Sequence, residues 1–269
     1  MCLIHLDRFD EALTSLKNNP DADSTDLVFE KAYCQYRLNQ INDAYDTIKR
    51  ATNAAPSIRV NELLAQICYK LEKYQESYDL YREIIKNTDD DYEIERQTNL
   101  SAVVAALKLN DPTSSKDVNL AEYENRTYEL CYNSACILIG KGNYQEARDK
   151  LRKAEKMCIK TFEDEDDAET FESEIAIIRI QLAFCLQKLG DHDESLKIYN
   201  NSLKSKSDDV SINAVASNNL VCLNKDQNVF DSKKKFKAAT GPELEQKMNK
   251  YQKKLISYNE ILFSIITNQ

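Results

Sequence analysis

Side chains able to perform acid–base or metal chemistry are few and poorly placed in this 269-residue sequence. The two histidines, His5 and His192, fall beside predicted turns, where a lone imidazole is usually a surface residue rather than a base or ligand. The consecutive carboxylates in Glu163–Asp167 predict a solvated acidic loop, with weak cation binding as the alternative. No glycine-rich phosphate loop or nucleophile elbow is present in the sequence. We therefore expect no catalytic residue, no cofactor and no metal site, and we predict that the protein is not an enzyme.

The eight cysteines show no CxxC spacing, and most of them lie within helical apolar stripes. Cysteines in such stripes act as small apolar side chains, so we expect neither disulfide bonds nor a zinc site. Free thiols fit a reducing compartment. No apolar run reaches the ~18–20 residues that a membrane-spanning helix needs. These patterns predict a cytoplasmic protein that does not insert into membranes.

The run Lys233–Lys237 is basic, whereas the whole chain carries a net charge of −9. One interpretation is direct RNA binding through these lysines and the lysines of the last helix. The acidic total charge argues against nucleic acid as a partner of the whole surface. The favoured interpretation is a solvated turn that precedes the last helix, with Phe230 and Phe236 as its anchors.

The elements that must position any binding residues are best seen from Tyr128 to Met157. Small and apolar residues recur there at three- and four-residue spacing on both sides of Gly140 and Gly142, which predicts two helices joined by a tight turn. This order resembles the tetratricopeptide repeat, a helix–turn–helix unit of ~34 residues. The small position of its second helix recurs at Ala12, Ala44, Ser77, Ala147 and Ser195. Because one unit cannot bury its apolar face alone, the sequence predicts an all-α, right-handed solenoid of stacked repeats.

Three parts are expected along the chain. They are a repeat solenoid over residues 1–223, a polar and basic connector without a helix over 224–243, and a C-terminal capping helix over 244–269. The fourth repeat is predicted to be degenerate, with a loop over Asn110–Ser115 and a short helix over Asp117–Glu124. The apolar stripe that would attach the capping helix is Leu244, Met248, Tyr251, Leu255, Tyr258, Leu262 and Ile265.

The first repeat is predicted to be truncated, since about half of its first helix precedes the turn at Asp7. The natural solenoid is therefore expected to continue upstream. We expect the apolar face around Leu3, Leu6 and Leu13 to be partly uncovered and to promote self-association at this end.

The concave groove of the solenoid is the predicted binding site, because the first helix of each repeat lines it. Inward positions recur every three to four residues along these helices. The predicted partner-binding residues are Phe29, Tyr33, Tyr36, Arg37, Glu62, Gln66, Tyr69, Lys70, Asn99, Tyr132, Asn133 and Cys136. Asn99 and Asn133 are predicted to pair with the backbone of an extended peptide, because a carboxamide both donates and accepts. The alternative is that these asparagines bond neighbouring helices within the solenoid.

Four segments resemble a particular family of tetratricopeptide proteins. They are Phe29–Asn39, Asp90–Ala106, Glu129–Gly142 and Asn224–Lys237. Together they are similar to the tetratricopeptide region of the 72-kilodalton subunits of the signal recognition particle, and the resemblance covers essentially the whole chain. Asn224–Lys237 is the most specific of the four, because it belongs to no general repeat consensus.

This resemblance implies a non-enzymatic scaffold whose groove binds a C-terminal segment of the 68-kilodalton subunit. It also implies a role in co-translational protein targeting to the endoplasmic reticulum, with RNA contact made mainly by a basic region outside this segment. A chaperone-type receptor that clamps a C-terminal carboxylate stays open as an alternative, although it would need more inward cations than Arg37 and Lys70.

Overall fold

The computed structural model describes residues 2–17, 27–54, 57–163, 168–204, 209–225, 227–241, 244 and 247–267. Fourteen α-helices occupy these described ranges. They are α1 (Cys2–His5), α2 (Phe9–Lys17), α3 (Val28–Arg37), α4 (Ile41–Ala54), α5 (Ile58–Lys70), α6 (Tyr74–Asn87), α7 (Glu93–Asn110), α8 (Tyr128–Gly140), α9 (Tyr144–Phe162), α10 (Ala168–Leu189), α11 (His192–Lys204), α12 (Val210–Asn224), α13 (Val229–Ala239) and α14 (Lys250–Ile266).

The chain divides into two compact units, and the boundary between them falls inside the predicted solenoid of residues 1–223. The first unit contains residues 1–107 and 114–118, and the second contains 108–113 and 119–269. Within the first unit, consecutive helices from α2 to α6 pack against one another, and within the second unit the same is true from α8 to α13. Each unit is therefore a run of antiparallel helix pairs with its own apolar core.

Four helix pairs each contain two small, fully buried residues that lie twelve positions apart in the sequence. The pairs are Ala32 with Ala44, Ala65 with Ser77, Ala135 with Ala147, and Ala183 with Ser195, and all eight residues are 0% exposed. The two serines add a hydrogen bond across the contact. Ser77 Oγ donates to the Ala65 carbonyl at 2.8 Å, and Ser195 Oγ donates to the Ala183 carbonyl at 2.9 Å. A buried hydroxyl is satisfied in this way without widening the contact.

A left-handed residue closes the turn inside each pair. Asp7, Asn39, Glu72, Gly142 and Gly190 have φ values of 54°, 58°, 59°, 79° and 87°. The next residue then donates its backbone N–H to the carbonyl five positions earlier, as from Gln40 to Gln35 and from Asn143 to Leu138, both at 2.9 Å or less. This is the bond pattern of a Schellman motif, which satisfies carbonyls at the end of the first helix.

The two glycines of the central turn have different roles. Gly142 has the positive φ that the turn requires, whereas Gly140 is the last residue of α8. A Cβ at Gly140 would lie 2.7 Å from Lys108 Cβ, so Gly140 permits a close approach between the chain segments. The sequence pattern had assigned both glycines to the turn.

Two regions differ from the predicted secondary structure. Residues 111–127 contain turns but no helix, so the short helix expected over Asp117–Glu124 is wrong. The predicted connector contains α13, whose Ser232, Phe236 and Ala239 are buried at helical spacing. The Phe236 ring lies 5.5 Å from the Phe263 ring of α14, whereas Phe230, the other predicted anchor, is 71% exposed. The lysine run between these residues obscured their periodicity.

The last helix begins later than predicted and packs through a different face. Asn249 and Gln252 form a reciprocal capping box, which starts α14 at Lys250 rather than at Leu244. Its buried residues are Ile256 and Phe263. Within α14 the predicted stripe is largely exposed, at 40% for Leu255, 52% for Tyr258, 55% for Leu262 and 66% for Ile265. Leu244 and Met248 of the same stripe precede α14 and are buried, as predicted. A one-residue shift of the contacting face moves this stripe outward, since each residue turns a helix by about 100°.

At the N-terminal end, the apolar face expected to be uncovered is smaller than predicted. Leu13 is buried in a cluster with Phe9, Ala12 and Cys34, and Leu3 packs partly against it. Leu6 is 64% exposed. Leu13 is buried because α2 packs on α3, and this packing covers the side of α2 that carries Leu13.

Replacing Ala147 by leucine should lower the free energy of unfolding by about 1–3 kcal/mol, because added methylenes overpack a close contact. Ala135→Leu should do the same from the other side of the pair. Ala238→Leu is the matched control, since Ala238 lies on the exposed face of α13. Urea denaturation followed by circular dichroism measures the change, and equal stability in all three variants would contradict the assigned contact.

Gly190 provides a test of the turn geometry that involves no steric clash. No heavy atom lies within 4 Å of a Cβ built at Gly190, so Gly190→Ala adds only backbone strain at φ 87°. We expect a loss of about 1 kcal/mol in unfolding free energy. Gly190→Asn should cost less, because asparagine tolerates the left-handed region and already occupies the equivalent turn at Asn39. A thermal melt that ranks asparagine below alanine would overturn this account.

Candidate protein-interaction surface

The predicted aromatic residues of α3 form a continuous surface in the first unit. The rings of Phe29 and Tyr33 are stacked with centroids 6.2 Å apart, and Phe9 meets Tyr33 edge-on at 6.0 Å. Helical spacing of four residues places Phe29 and Tyr33 on one side of α3. Both rings line a cavity of about 470 Å³, together with His5 and Arg59 among others. We call this cavity the aromatic pocket.

The charged side chains of Glu30 and Arg59 also line the aromatic pocket. The Arg59 guanidinium lies 3.7 Å from the Phe29 ring centroid and 3.6 Å from Glu30 Oε1. Glu30 is 9% exposed, and its buried Oε2 has no hydrogen-bond partner among the described residues. A buried carboxylate oxygen in this state is costly. The aromatic pocket is therefore suited to a ligand group that donates a hydrogen bond.

Arg37 is placed at the edge of the same surface. Its Nη1 donates to the Tyr33 hydroxyl at 2.9 Å, and its Nη2 lies 3.5 Å from Asp7 Oδ1. Its guanidinium also lies 4.3 Å from the Phe9 ring centroid. These contacts fix the orientation of Arg37. They also occupy the cation that a carboxylate clamp would require, which disfavours the chaperone-type receptor.

Glu62 has a partner within the first unit. Arg96, whose side chain is 5% exposed, donates through Nε to Glu62 and through Nη1 to Asp90 Oδ1 at 2.7 Å. Arg96 also donates to Thr88 Oγ1 at 2.9 Å. The hydrogen bond from Arg96 lowers the pKa of Asp90. Glu62 therefore helps to hold a buried guanidinium between α5 and α7, a role that the sequence analysis missed.

Asn99 also contacts a neighbouring helix. Its side chain is hydrogen-bonded to the hydroxyl of Tyr81, which is 2% exposed, and burial raises the pKa of that tyrosine. This contact is the within-solenoid alternative considered for the asparagines. Tyr36 is half-buried against the core of the first unit, and burial raises its pKa as well.

The remaining predicted residues of the first unit differ in exposure. Gln66 is half-buried, whereas Lys70 is exposed at the end of α5. Tyr69 is 36% exposed, and its ring meets Tyr74 edge-on at 5.6 Å. Tyr69 therefore presents a partly supported ring that a partner can reach.

Three predicted residues lie on α8 in the second unit. Tyr132, Asn133 and Cys136 are half-buried there. Cys136 is hydrogen-bonded to Tyr132, and burial raises the pKa of its thiol to about 12. A thiol in this state stays protonated at neutral pH, so Cys136 contributes apolar surface rather than reactivity.

Residues that sequence analysis did not select line a second cavity, of about 570 Å³, in the second unit. They include Gln181 and Phe184 of α10 and Asn259 of α14. Asn218 and Asn219 of α12 also line this cavity. Two adjacent asparagines in the middle of a helix are the sequence signal that could have indicated this site, because asparagine is a poor helix former.

Two features are absent from the described part of the chain. No group of three or more His, Cys, Asp or Glu side chains is placed to hold a metal ion there. Within the same residues, no helix combines the length and the apolar character needed to cross a bilayer.

Comparison with known proteins identifies the class of repeat protein. Residues 1–107 match the signal recognition particle family described as "Putative TPR-like repeat", and residues 128–158 and 176–209 match the tetratricopeptide repeat family. A tetratricopeptide protein of Parabacteroides merdae superimposes with a TM-score of 0.57 at 13% identity, covering 96% of this chain and 94% of that one. A thermophilic one from Thermus thermophilus gives 0.53 at 17% identity, covering 74% and 100%. The chain is therefore an all-α tetratricopeptide-repeat solenoid.

Similarity to curated relatives identifies the particular family. "Signal recognition particle subunit SRP72" of Canis lupus familiaris is 42% identical over 100% of this chain and 40% of the relative. The proteins of the same name from Schistosoma mansoni and Caenorhabditis elegans are 35% and 33% identical, over 100% and 99% of this chain and 37% and 41% of their own lengths. The chain belongs to the tetratricopeptide region of the SRP72 family. It spans about two fifths of the length of these relatives.

A double-mutant cycle tests the structural role of Asn99. Asn99→Ala and Tyr81→Phe should each lower the unfolding free energy by about 1–3 kcal/mol, because each leaves a buried polar group without its partner. The double variant should cost less than the sum, since both changes remove the same bond. Asn200→Ala, at an exposed position of α11, is the control. Strictly additive losses would show that the two side chains are not coupled.

Proposed function

We propose that this chain is a non-enzymatic protein-interaction scaffold of the signal recognition particle. In this proposal it binds a C-terminal segment of the 68-kilodalton subunit on the first helices of its repeats. In the cytoplasm it thereby supports co-translational targeting of proteins to the endoplasmic reticulum. The family similarity over the whole chain supports the particle, and the repeat architecture supports the interaction role.

The aromatic pocket is the observation that carries the proposal. Stacked aromatic rings provide a large contact area at a low cost in side-chain entropy, as binding hot spots often do. The neighbouring Glu30 carboxylate, with its buried Oε2, would accept a hydrogen bond from an incoming N–H or basic side chain. The bound segment would thus combine an apolar side chain against Phe29 and Tyr33 with a donor to Glu30.

Direct RNA binding is a second candidate that one observation favours. Lys233, Lys234 and Lys237 are exposed on α13, and the Lys234 ammonium lies 4.5 Å from the centroid of the exposed Phe230 ring. A cation beside an exposed aromatic ring suits contact with single-stranded nucleic acid. A gel shift with the particle RNA, with and without the 68-kilodalton subunit, distinguishes this contact from assembly through protein. RNA contact by the whole protein is proposed to lie mainly outside this segment.

Calorimetric titration with the C-terminal segment of the 68-kilodalton subunit tests the protein interaction. Tyr33→Ala and Tyr69→Ala should each weaken binding about tenfold or more, or about 1.4 kcal/mol, through lost aromatic contact area. Tyr92→Ala is the control, because Tyr92 is 63% exposed and lies outside α3 and α5.

A thermal melt of each variant separates lost binding from lost folding, which matters most for Tyr33 because it packs on the core. Full affinity of both folded variants would place the interface elsewhere. No binding by the unchanged protein would refute the proposed partner.

A further inference from the structure

The second cavity, which we call the amide pocket, lies wholly within the second unit. Its walls come mainly from α10, α12 and α14, with contributions from α8 and the start of α9. The lining residues that matter here are Gln181, Phe184, Lys188, Asn218, Asn219 and Asn259. The volume of about 570 Å³ is sufficient for a short stretch of peptide.

A chain of hydrogen bonds runs along one wall of the amide pocket. Asn259 Nδ2 donates to Asn218 Oδ1 at 2.9 Å, and Asn218 Nδ2 donates to Asn219 Oδ1 at 3.0 Å. Asn219 Nδ2 then donates to the Tyr199 hydroxyl at 3.1 Å, which itself donates to Gln187 Oε1 at 3.2 Å. The chain thus connects α14, α12, α11 and α10, and it fixes the direction in which each carboxamide points.

This arrangement leaves hydrogen-bonding capacity at the pocket. A carboxamide carries two N–H donors and an oxygen with two lone pairs. Among the described residues, each of the three asparagines donates one hydrogen bond in this chain. Asn218 is only 6% exposed, so its carboxamide is largely shielded from bulk water. Alternating donors and acceptors of this kind match the backbone of an extended peptide.

Several other lining residues of the amide pocket are apolar, and one is charged. The rings of Tyr144 and Phe184 meet edge-on at 6.2 Å, and Ile139 and Ile180 lie beside them. Among the described lining residues only Lys188 is charged, and its ammonium lies 5.3 Å from the Phe184 ring centroid. A ligand with an apolar side chain next to an acidic one would be complementary to these residues.

We propose that the amide pocket binds an extended segment of the partner subunit in which an apolar residue and an acidic residue are close together. Gln181, Asn218 and Asn219 pair with its backbone, Phe184 contacts its apolar side chain, and Lys188 pairs with its carboxylate. This inference rests on the proposed function, because the 68-kilodalton subunit supplies the segment. It adds a contact in the second unit that is separate from the aromatic pocket.

Binding of the full-length 68-kilodalton subunit to pocket variants tests the proposal. Gln181→Leu removes a carboxamide at nearly constant volume, and Lys188→Glu reverses the charge of the pocket. Each should weaken binding about tenfold, by analogy with other interface contacts of this kind. Gln145→Leu and Lys197→Glu are the matched controls, since both residues are exposed on second helices of the same unit.

The outcomes separate the two proposals. Weakened binding in both pocket variants, with intact controls and unchanged melting temperatures, supports the amide pocket. Unchanged binding in both pocket variants, while Tyr33→Ala is weakened, overturns the amide pocket and leaves the proposed function standing. No binding by the unchanged chain overturns both.

A photo-crosslinking amino acid at Gln181 identifies the ligand chemistry directly. Mass spectrometry of the crosslinked complex should recover a partner peptide with adjacent apolar and acidic residues. Recovery of a basic peptide, or of no peptide from a complex that forms normally, would overturn the assignment.

Discussion

The structure depends on how closely the two helices of each pair approach. At every small-residue contact the side chains are alanine or serine with no exposed surface. Larger side chains would separate the helices and misalign the apolar residues that follow at three- and four-residue spacing, such as Ile48, Tyr81, Leu151 and Tyr199. Because neighbouring pairs stack through those residues, the small contact also determines how one repeat meets the next.

The same constraint decides which side chains are available for binding. Each first helix is packed on one side by its own partner and on another by the next repeat, so a limited edge stays accessible. Where a neighbouring helix is within reach, polar side chains on this edge form hydrogen bonds within the solenoid. The hydrogen bond between Asn99 and Tyr81 is an example. Where α14 packs on α12, the amides of Asn218, Asn219 and Asn259 bond one another and line a cavity. Partner binding and helix–helix packing therefore depend on the same residue types.

Much of the fold could be predicted from the sequence because the repeat frame is local. Ala44, Ser77, Ala147 and Ser195 recur in one register, and a register is readable without knowing any tertiary contact. The site was less predictable, because the partner of Glu62 is an arginine thirty-four residues away and its contact depends on packing. The same applies to α13, where burial of Phe236 against Phe263 outweighs an unfavourable lysine-rich composition. In α14, periodicity correctly predicted a helix but not which of its two apolar faces is buried.

The turns of the two units differ in a way that affects local dynamics. At the turns inside its helix pairs the first unit places Asp7, Asn39 and Glu72 at positive φ, whereas the α8–α9 and α10–α11 turns of the second unit use Gly142 and Gly190. Lys225 and Asn228, between α12 and α13, are the non-glycine residues at positive φ in the described part of the second unit. A side chain other than glycine costs about 1–2 kcal/mol in this conformation, and less for asparagine. In a stack of repeats such a cost lowers the opening free energy of the repeat that bears it. Amide hydrogens that depend on these turns, such as that of Lys73, should exchange with solvent faster than their counterparts at Asn143 and Asp191. We therefore expect the helix-pair turns of the first unit to open more readily than the two glycine turns of the second unit.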